Sequence, residues 1–115
     1  EIFTHNGTKK INISLRDYID LYFKNVGEIM INSISNDGKK NGFDINLIKL
    51  CKNYTNLPVI VCGGAGSFKS FEKAIDFNVS GLSAGNFFNF NEMSILKLKK
   101  YLLDKNKNIR LDRIN

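Results

Sequence analysis

Short apolar runs alternate with amphipathic helical segments along this chain, and that alternation leaves few folds open. Leu15, Tyr18, Ile19, Tyr22 and Phe23 recur with helical spacing on one face. Ser14 is placed to cap that helix and Gly27 to end it. The Ile-rich run from Glu28 to Ile34 is too short for a helix and reads as a buried strand. A loop of turn-forming residues, Ser35 to Gly42, follows. Asp44 then caps a second helix whose apolar face is Leu47, Ile48, Cys51 and Tyr54, and Asn56-Leu57-Pro58 breaks it. Val59-Ile60-Val61-Cys62 is a second apolar strand, leading directly into Gly63-Gly64-Ala65-Gly66. Ser67 caps a third helix with Phe68, Phe71 and Ile75 on one face, ended by Asn78-Val79. Ser80 to Ala84 is a strand of small residues, closed by the turn Gly85-Asn86. Phe87 to Phe90 suits a single helical turn. A last helix is expected from about Ser94 to Lys105, with Ile95, Leu98 and Leu102 inside. Residues 106–115 form a polar tail, expected to fray in part.

The resulting order, α-β-α-β-α-β-α, argues for an α/β fold built from βαβ units around a parallel sheet, each crossover right-handed. The unit repeats roughly every 25 to 30 residues, which suits a (β/α)8 barrel or an open doubly wound sheet. A complete barrel needs about 250 residues. The 115 residues here are expected to be one half of such a barrel, a single unit over 1–115. The chain opens Glu1-Ile2-Phe3-Thr4-His5, with neither an initiator Met nor the basic and apolar regions of a signal peptide, so it is expected to begin inside a longer sequence.

Composition narrows the function classes. Net charge is +6, carried by 14 Lys and 3 Arg. Such a balance reflects a Lys-, Asn- and Ile-rich composition, or an anionic ligand. The lysines are spread along the chain, with no zinc-finger spacing and no RNP-type motif, so a nucleic-acid partner is not expected. No apolar window is long enough to span a membrane. Cys51 and Cys62 lack a CxxC arrangement and read as reduced, semi-buried thiols of a cytoplasmic protein. A single His, His5, excludes a histidine-rich metal cluster, and neither a metal nor a cofactor is expected.

Ligands of parallel α/β folds bind at the carboxyl ends of the strands. Three loops lie there. Asp37-Gly38 is either a simple turn or a place where the Gly38 N–H approaches an anion and Asp37 contacts ligand hydroxyls or moves a proton. Gly63-Gly64-Ala65-Gly66, entering a helix capped by Ser67, is either a tight turn or a phosphate cradle of backbone N–H groups. Gly85-Asn86 lies where barrels build phosphate sites from their last loops. Two glycine-bearing loops in consecutive units favour phosphate binding. If Glu28, Met30 and Asn32 share a strand face, Glu28 is either a solvated strand end or half of an interior ion pair.

Read in order, Phe3-Thr4, Ser14-Leu15-Arg16-Asp17, Gly27-Glu28-Ile29, Asn32-Ser33-Ile34, Asp37-Gly38, Gly42-Phe43-Asp44, Leu57-Pro58-Val59-Ile60, Gly63-Gly64-Ala65-Gly66 and Lys99-Lys100-Tyr101-Leu102 resemble the second half of the cyclase subunits of imidazole glycerol phosphate synthase. The resemblance runs to about Arg110. It implies the C-terminal half of a (β/α)8 barrel and a lyase of histidine biosynthesis. It also implies a glutaminase subunit docked at the barrel bottom, whose ammonia crosses the interior to a phosphorylated nucleotide substrate. Gly63 and Gly64 would hold one phosphate, supported by Gly85 and Asn86. Asp37 and Gly38 would contact the substrate, Thr4 would line the site, and Glu28 would belong to the ammonia gate. The family's two catalytic aspartates would fall before residue 1, so no catalytic residue is expected in this stretch. Ser35, Asn36 and Asn86 stand where the family usually carries aspartate, arginine and serine.

Asn32-Ser33-Ile34 together with Ala84-Gly85-Asn86-Phe87-Phe88 also resembles a paralogous branch that supplies ammonia for amidination of surface sugars. Two further readings are a non-catalytic, phosphate-binding half-barrel that dimerises to cover its sheet edges, and another phosphate-binding barrel enzyme such as an isomerase of the same pathway.

Overall fold

Alternate residues of the two apolar runs point to opposite sides, and that period organises the molecule. In the computed structural model, which describes residues 1–89 and 95–110, the runs form strands β3 (Ile29–Asn32) and β4 (Val59–Cys62). With β5 (Gly81–Ser83) they make a parallel sheet in the order β3-β4-β5. Ile29 lies opposite Val59 and Ile31 opposite Val61. These four side chains are buried, in one cluster with Ile19 of α1 (Leu15–Tyr22), Ile48 and Cys51 of α2 (Ile45–Tyr54), Phe71 and Ala74 of α3 (Phe68–Ile75), and Leu98 and Leu102 of α5 (Ile95–Asp104). The core therefore lies between one face of the sheet and a layer of helices. The other face carries Met30, 57 % exposed, and Asn32, also exposed.

Each helix starts where its first N–H groups find an acceptor. Ser14 Oγ accepts from the Asp17 N–H at 3.0 Å, and Asp44 Oδ1 from the Leu47 N–H at 2.9 Å. Ser67 and Ser70 form a reciprocal capping box at the start of α3. The other Asp44 oxygen accepts from Ser33 Oγ at 3.2 Å, which ties the end of β3 to the start of α2. Ser33 is a buried polar residue, so that bond also answers its desolvation.

Aromatic packing closes the C-terminal end. Phe71 stands 5.2 Å, centroid to centroid, from both Phe43 and Phe87, and Phe68 lies 5.4 Å from Tyr101. Buried Phe87 anchors the one-turn helix α4 (Asn86–Asn89) against α3, which fixes the turn before it. Tyr101 donates its hydroxyl to Glu72 at 2.6 Å, and this bond pushes the phenol pKa up.

Several expectations need correction. A β-hairpin, β1 (Ile2–Thr4) with β2 (Lys9–Ile11), precedes the first helix, where no strand was expected. Helix α1 stops at Tyr22, capped by the Phe23 N–H on the Ile19 carbonyl, and does not run on to Gly27. Tyr22 of its expected apolar face is exposed. Strand β3 begins after Glu28 and ends at Asn32, because Ser33 already turns toward Asp44. Ile95 is 54 % exposed, not inside. In the expected tail, Lys107 pairs with Asp76 and Ile109 packs against the core cluster. The expected helix start at Ser94, the end of the short helix at Phe90, and residues 111–115 of the tail lie outside the described residues.

Candidate functional site

Parallel strands bring their carboxyl ends to one edge, so the three loops that follow β3, β4 and β5 meet. They enclose a small niche of about 20 Å³ lined by Asp37, Gly38, Cys62, Gly63, Gly64, Ala65, Ser83, Ala84, Gly85, Asn86 and Phe87. Six of the expected site residues, Asp37, Gly38, Gly63, Gly64, Gly85 and Asn86, are thus gathered in one place. A wider cleft of about 490 Å³ adjoins it, bounded by the hairpin and β3, and Asp37 borders both.

Local backbone chemistry explains the glycines. Gly63 and Gly64 have φ of 90° and 99°, a left-handed region that side chains disfavour. A Cβ on Gly63 would lie 2.7 Å from Asn32 Oδ1 and 2.8 Å from the Ser33 carbonyl oxygen. A Cβ on Gly64 would strike the Gly42 carbonyl oxygen, and one on Gly66 the Lys40 carbonyl oxygen. The Gly42 N–H donates to the Gly64 carbonyl at 2.7 Å, locking the two loops together. Gly85 differs: nothing lies within 4 Å of its Cβ direction.

Among the described residues, the N–H groups of Gly64, Ala65, Gly85 and Asn86 donate to no protein acceptor. All four residues border the niche. Several unspent N–H donors around one small space make it suited to an anion's oxygens. Asp37 is exposed at the rim, where its carboxylate can accept from a hydroxyl of a ligand seated there.

The remaining two expected residues stand apart. Thr4 sits on the hairpin, where its hydroxyl donates to the Lys9 carbonyl at 3.3 Å and contacts His5 Nδ1 at 3.1 Å. It borders neither the niche nor the adjoining cleft. Glu28 is exposed and immediately precedes β3, at the end of the sheet opposite the glycine turns. Its two-residue spacing from Met30 puts it in line with the open sheet face.

Sequence reasoning missed Cys62, Ser83, Ala65 and Phe87 as lining residues. Cys62 lies opposite both Asn32 and Ser83, so these three form one row across the open face, just below the niche. Period-2 alternation marked Asn32; the register that adds Cys62 and Ser83 is a property of the paired strands. Among the described residues no cluster of metal-ligating side chains is present, and no helix is long and apolar enough to cross a membrane.

Known proteins share much of this sequence. The family model described as "Histidine biosynthesis protein" matches residues 1–94. An imidazole glycerol phosphate synthase subunit HisF of Natranaerobius thermophilus is 37 % identical over 113 residues, covering 96 % of this chain and 45 % of the relative. The HisF subunit of Thermotoga sp. strain RQ2 is 36 % identical, covering 96 % and 44 %. That of Thermobifida fusca is 34 % identical, covering 96 % and 43 %. The chain thus spans less than half the length of these relatives. The family match takes in every strand among the described residues and all three loops of the niche, and on that ground the chain belongs to the histidine biosynthesis protein family.

Proposed function

We propose that this chain is the phosphate-gripping, C-terminal half of a (β/α)8 barrel. The barrel would be the cyclase subunit of an imidazole glycerol phosphate synthase, a cytoplasmic lyase of histidine biosynthesis. The carrying observation is the meeting of Asp37-Gly38, Gly63-Gly64 and Gly85-Asn86 around one niche bordered by uncommitted N–H groups. The sequential strand order and the single helix layer support the barrel reading, since an open doubly wound sheet would carry helices on both faces.

In this reading one phosphate of a nucleotide substrate enters the niche. Its oxygens accept from the backbone N–H groups of Gly64, Ala65, Gly85 and Asn86, which have no protein hydrogen bond to give up first. Fixing that end orients the rest of the substrate along the adjoining cleft, and Asp37 at the shared rim accepts from a hydroxyl. The general acid and base belong to the other half of the barrel. Glu28, at the far end of the open face, is the ammonia-gate residue, and a glutaminase subunit docked at that end supplies the ammonia. Thr4 would line the site only if the hairpin moved toward the cleft, since where it stands it borders neither cavity.

The test uses the full-length protein. It should convert the phosphoribulosyl-formimino nucleotide with ammonium at high pH, and use glutamine only when its glutaminase is added. Turnover with neither nitrogen source would overturn the reading. Glutaminase-dependent amidination of a sugar, without turnover of the nucleotide, would assign the chain to the paralogous branch.

A further inference from the structure

A second concave site lies beside the start of α3, lined by none of the glycines of the turn before it. The loop from Lys40 to Phe43 and the first turns of α3 enclose a cleft of about 280 Å³. Three of its lining residues are cations, Lys40, Lys69 and Lys73, and none is an acid. Among the described residues none of the three makes a salt bridge.

The nearby carboxylates are committed elsewhere. Glu72 accepts from the Tyr101 hydroxyl, Asp76 pairs with Lys107, and Asp44 caps α2 and receives Ser33. Lys69 and Lys73 are four residues apart on one helix, a spacing at which like charges repel. The cleft therefore concentrates positive charge that the protein leaves unbalanced. The start of α3 does not supply the attraction, because Ser70 Oγ already accepts from the Gly66 and Ser67 N–H groups.

We propose that this cleft is a second anion site, separate from the niche, that takes a small, multiply charged phosphate group, free or as an ester. Its concavity suits a small ligand better than the face of a protein. Lysine ammonium groups meet such an anion as point charges without demanding one fixed geometry. Ser67 at its wall offers a further hydroxyl, while that of Ser70 is spent on the Ser67 carbonyl. The site also touches the niche through the backbone. The Lys40 and Gly42 carbonyls pack on Gly66 and Gly64, and the Gly42 N–H holds the Gly64 carbonyl. An anion that steadies Lys40 thus steadies the loop on which the niche is built.

The test follows backbone amide shifts of the full-length protein titrated with inorganic pyrophosphate at fixed ionic strength. A parallel titration with ribose 5-phosphate separates free from esterified phosphate. Amides of Lys40, Gly42, Lys69 and Ser70 should move with one saturable affinity. The double variant Lys69→Gln/Lys73→Gln should weaken that affinity about tenfold or more. A control that removes two exposed charges elsewhere, Lys24→Gln/Lys100→Gln, should leave it within about twofold. Gly85→Val, which narrows the niche alone, should leave it unchanged. Shifts confined to Gly64, Gly85 and Asn86 would overturn the second site while leaving the niche intact. Equal weakening by the control pair would reduce the effect to general charge and overturn it as well.

Discussion

The turn after β4 and the turn after β5 look alike in sequence, each a glycine-bearing step from strand into helix, yet their glycines answer to different demands. Gly63, Gly64 and Gly66 face backbone: Ser33, Gly42 and Lys40 pack where a Cβ would stand. Gly63 and Gly64 also adopt left-handed φ. Gly85 has open space beside it and no left-handed φ. The first turn is held by the loop after β3, and the N–H groups of Gly64 and Ala65 are left without a protein acceptor within that packing. The second is set by Phe87 and is free to answer to a ligand. A glycine-rich turn can therefore be required by the fold and useful to the site at once, and substitution separates the two.

The largest expected effect is at Gly64. Gly64→Val should cost about 3 kcal/mol or more, because it combines a strained φ with a backbone collision. Loss of cooperative thermal unfolding, or a large fall in Tm, checks this. A normal Tm with only phosphate affinity lost would break the contrast between the two turns. Ile48→Ala tests the core beneath the sheet and should cost about 2–5 kcal/mol by denaturant titration, since Ile48 is fully buried.

Asp44→Ala should cost about 1–2 kcal/mol, by removing the α2 cap and the acceptor of buried Ser33. Because Ser33 lies against Gly63, the same variant should loosen the first turn and spare the second, which amide exchange at Gly63 and Gly85 would show. Gly85→Val should leave stability within about 1 kcal/mol and weaken phosphate binding severalfold, measured by calorimetric titration.

The smallest effect concerns the thiols. Burial pushes the Cys51 thiol pKa up, so at neutral pH it stays protonated and shielded. Its labelling should accelerate only as the pH climbs above the ordinary thiol range. Cys62, at the niche wall and half-exposed, should react first with a thiol reagent. Saturating phosphate should slow that reaction about two- to threefold. Equal rates for both cysteines would place Cys62 deeper than the niche wall.

Much of the fold was legible because its signals are local. Helical spacing over Leu15 to Phe23, the apolar run Val59 to Cys62, and the caps Ser14, Asp44 and Ser67 each act within a few residues. The hairpin was not legible: its three-residue strands carry too few alternating positions to stand out from a loop. Tyr22 and Ile95 fit helical spacing and are still exposed, since periodicity names a face without saying what covers it.

By itself the sequence determined the order of the three parallel strands and the helices between them, the three loops at those strand ends and the glycines within them, because capping, turn formation and period depend on near neighbours. Only the tertiary structure decided that Cys62 and Ser83 join those loops, that Thr4 and Glu28 stand apart from the niche, and that Gly64 is held by Gly42 while Gly85 is free. Those facts depend on strand register and on contacts between residues far apart in the chain, which no local pattern encodes.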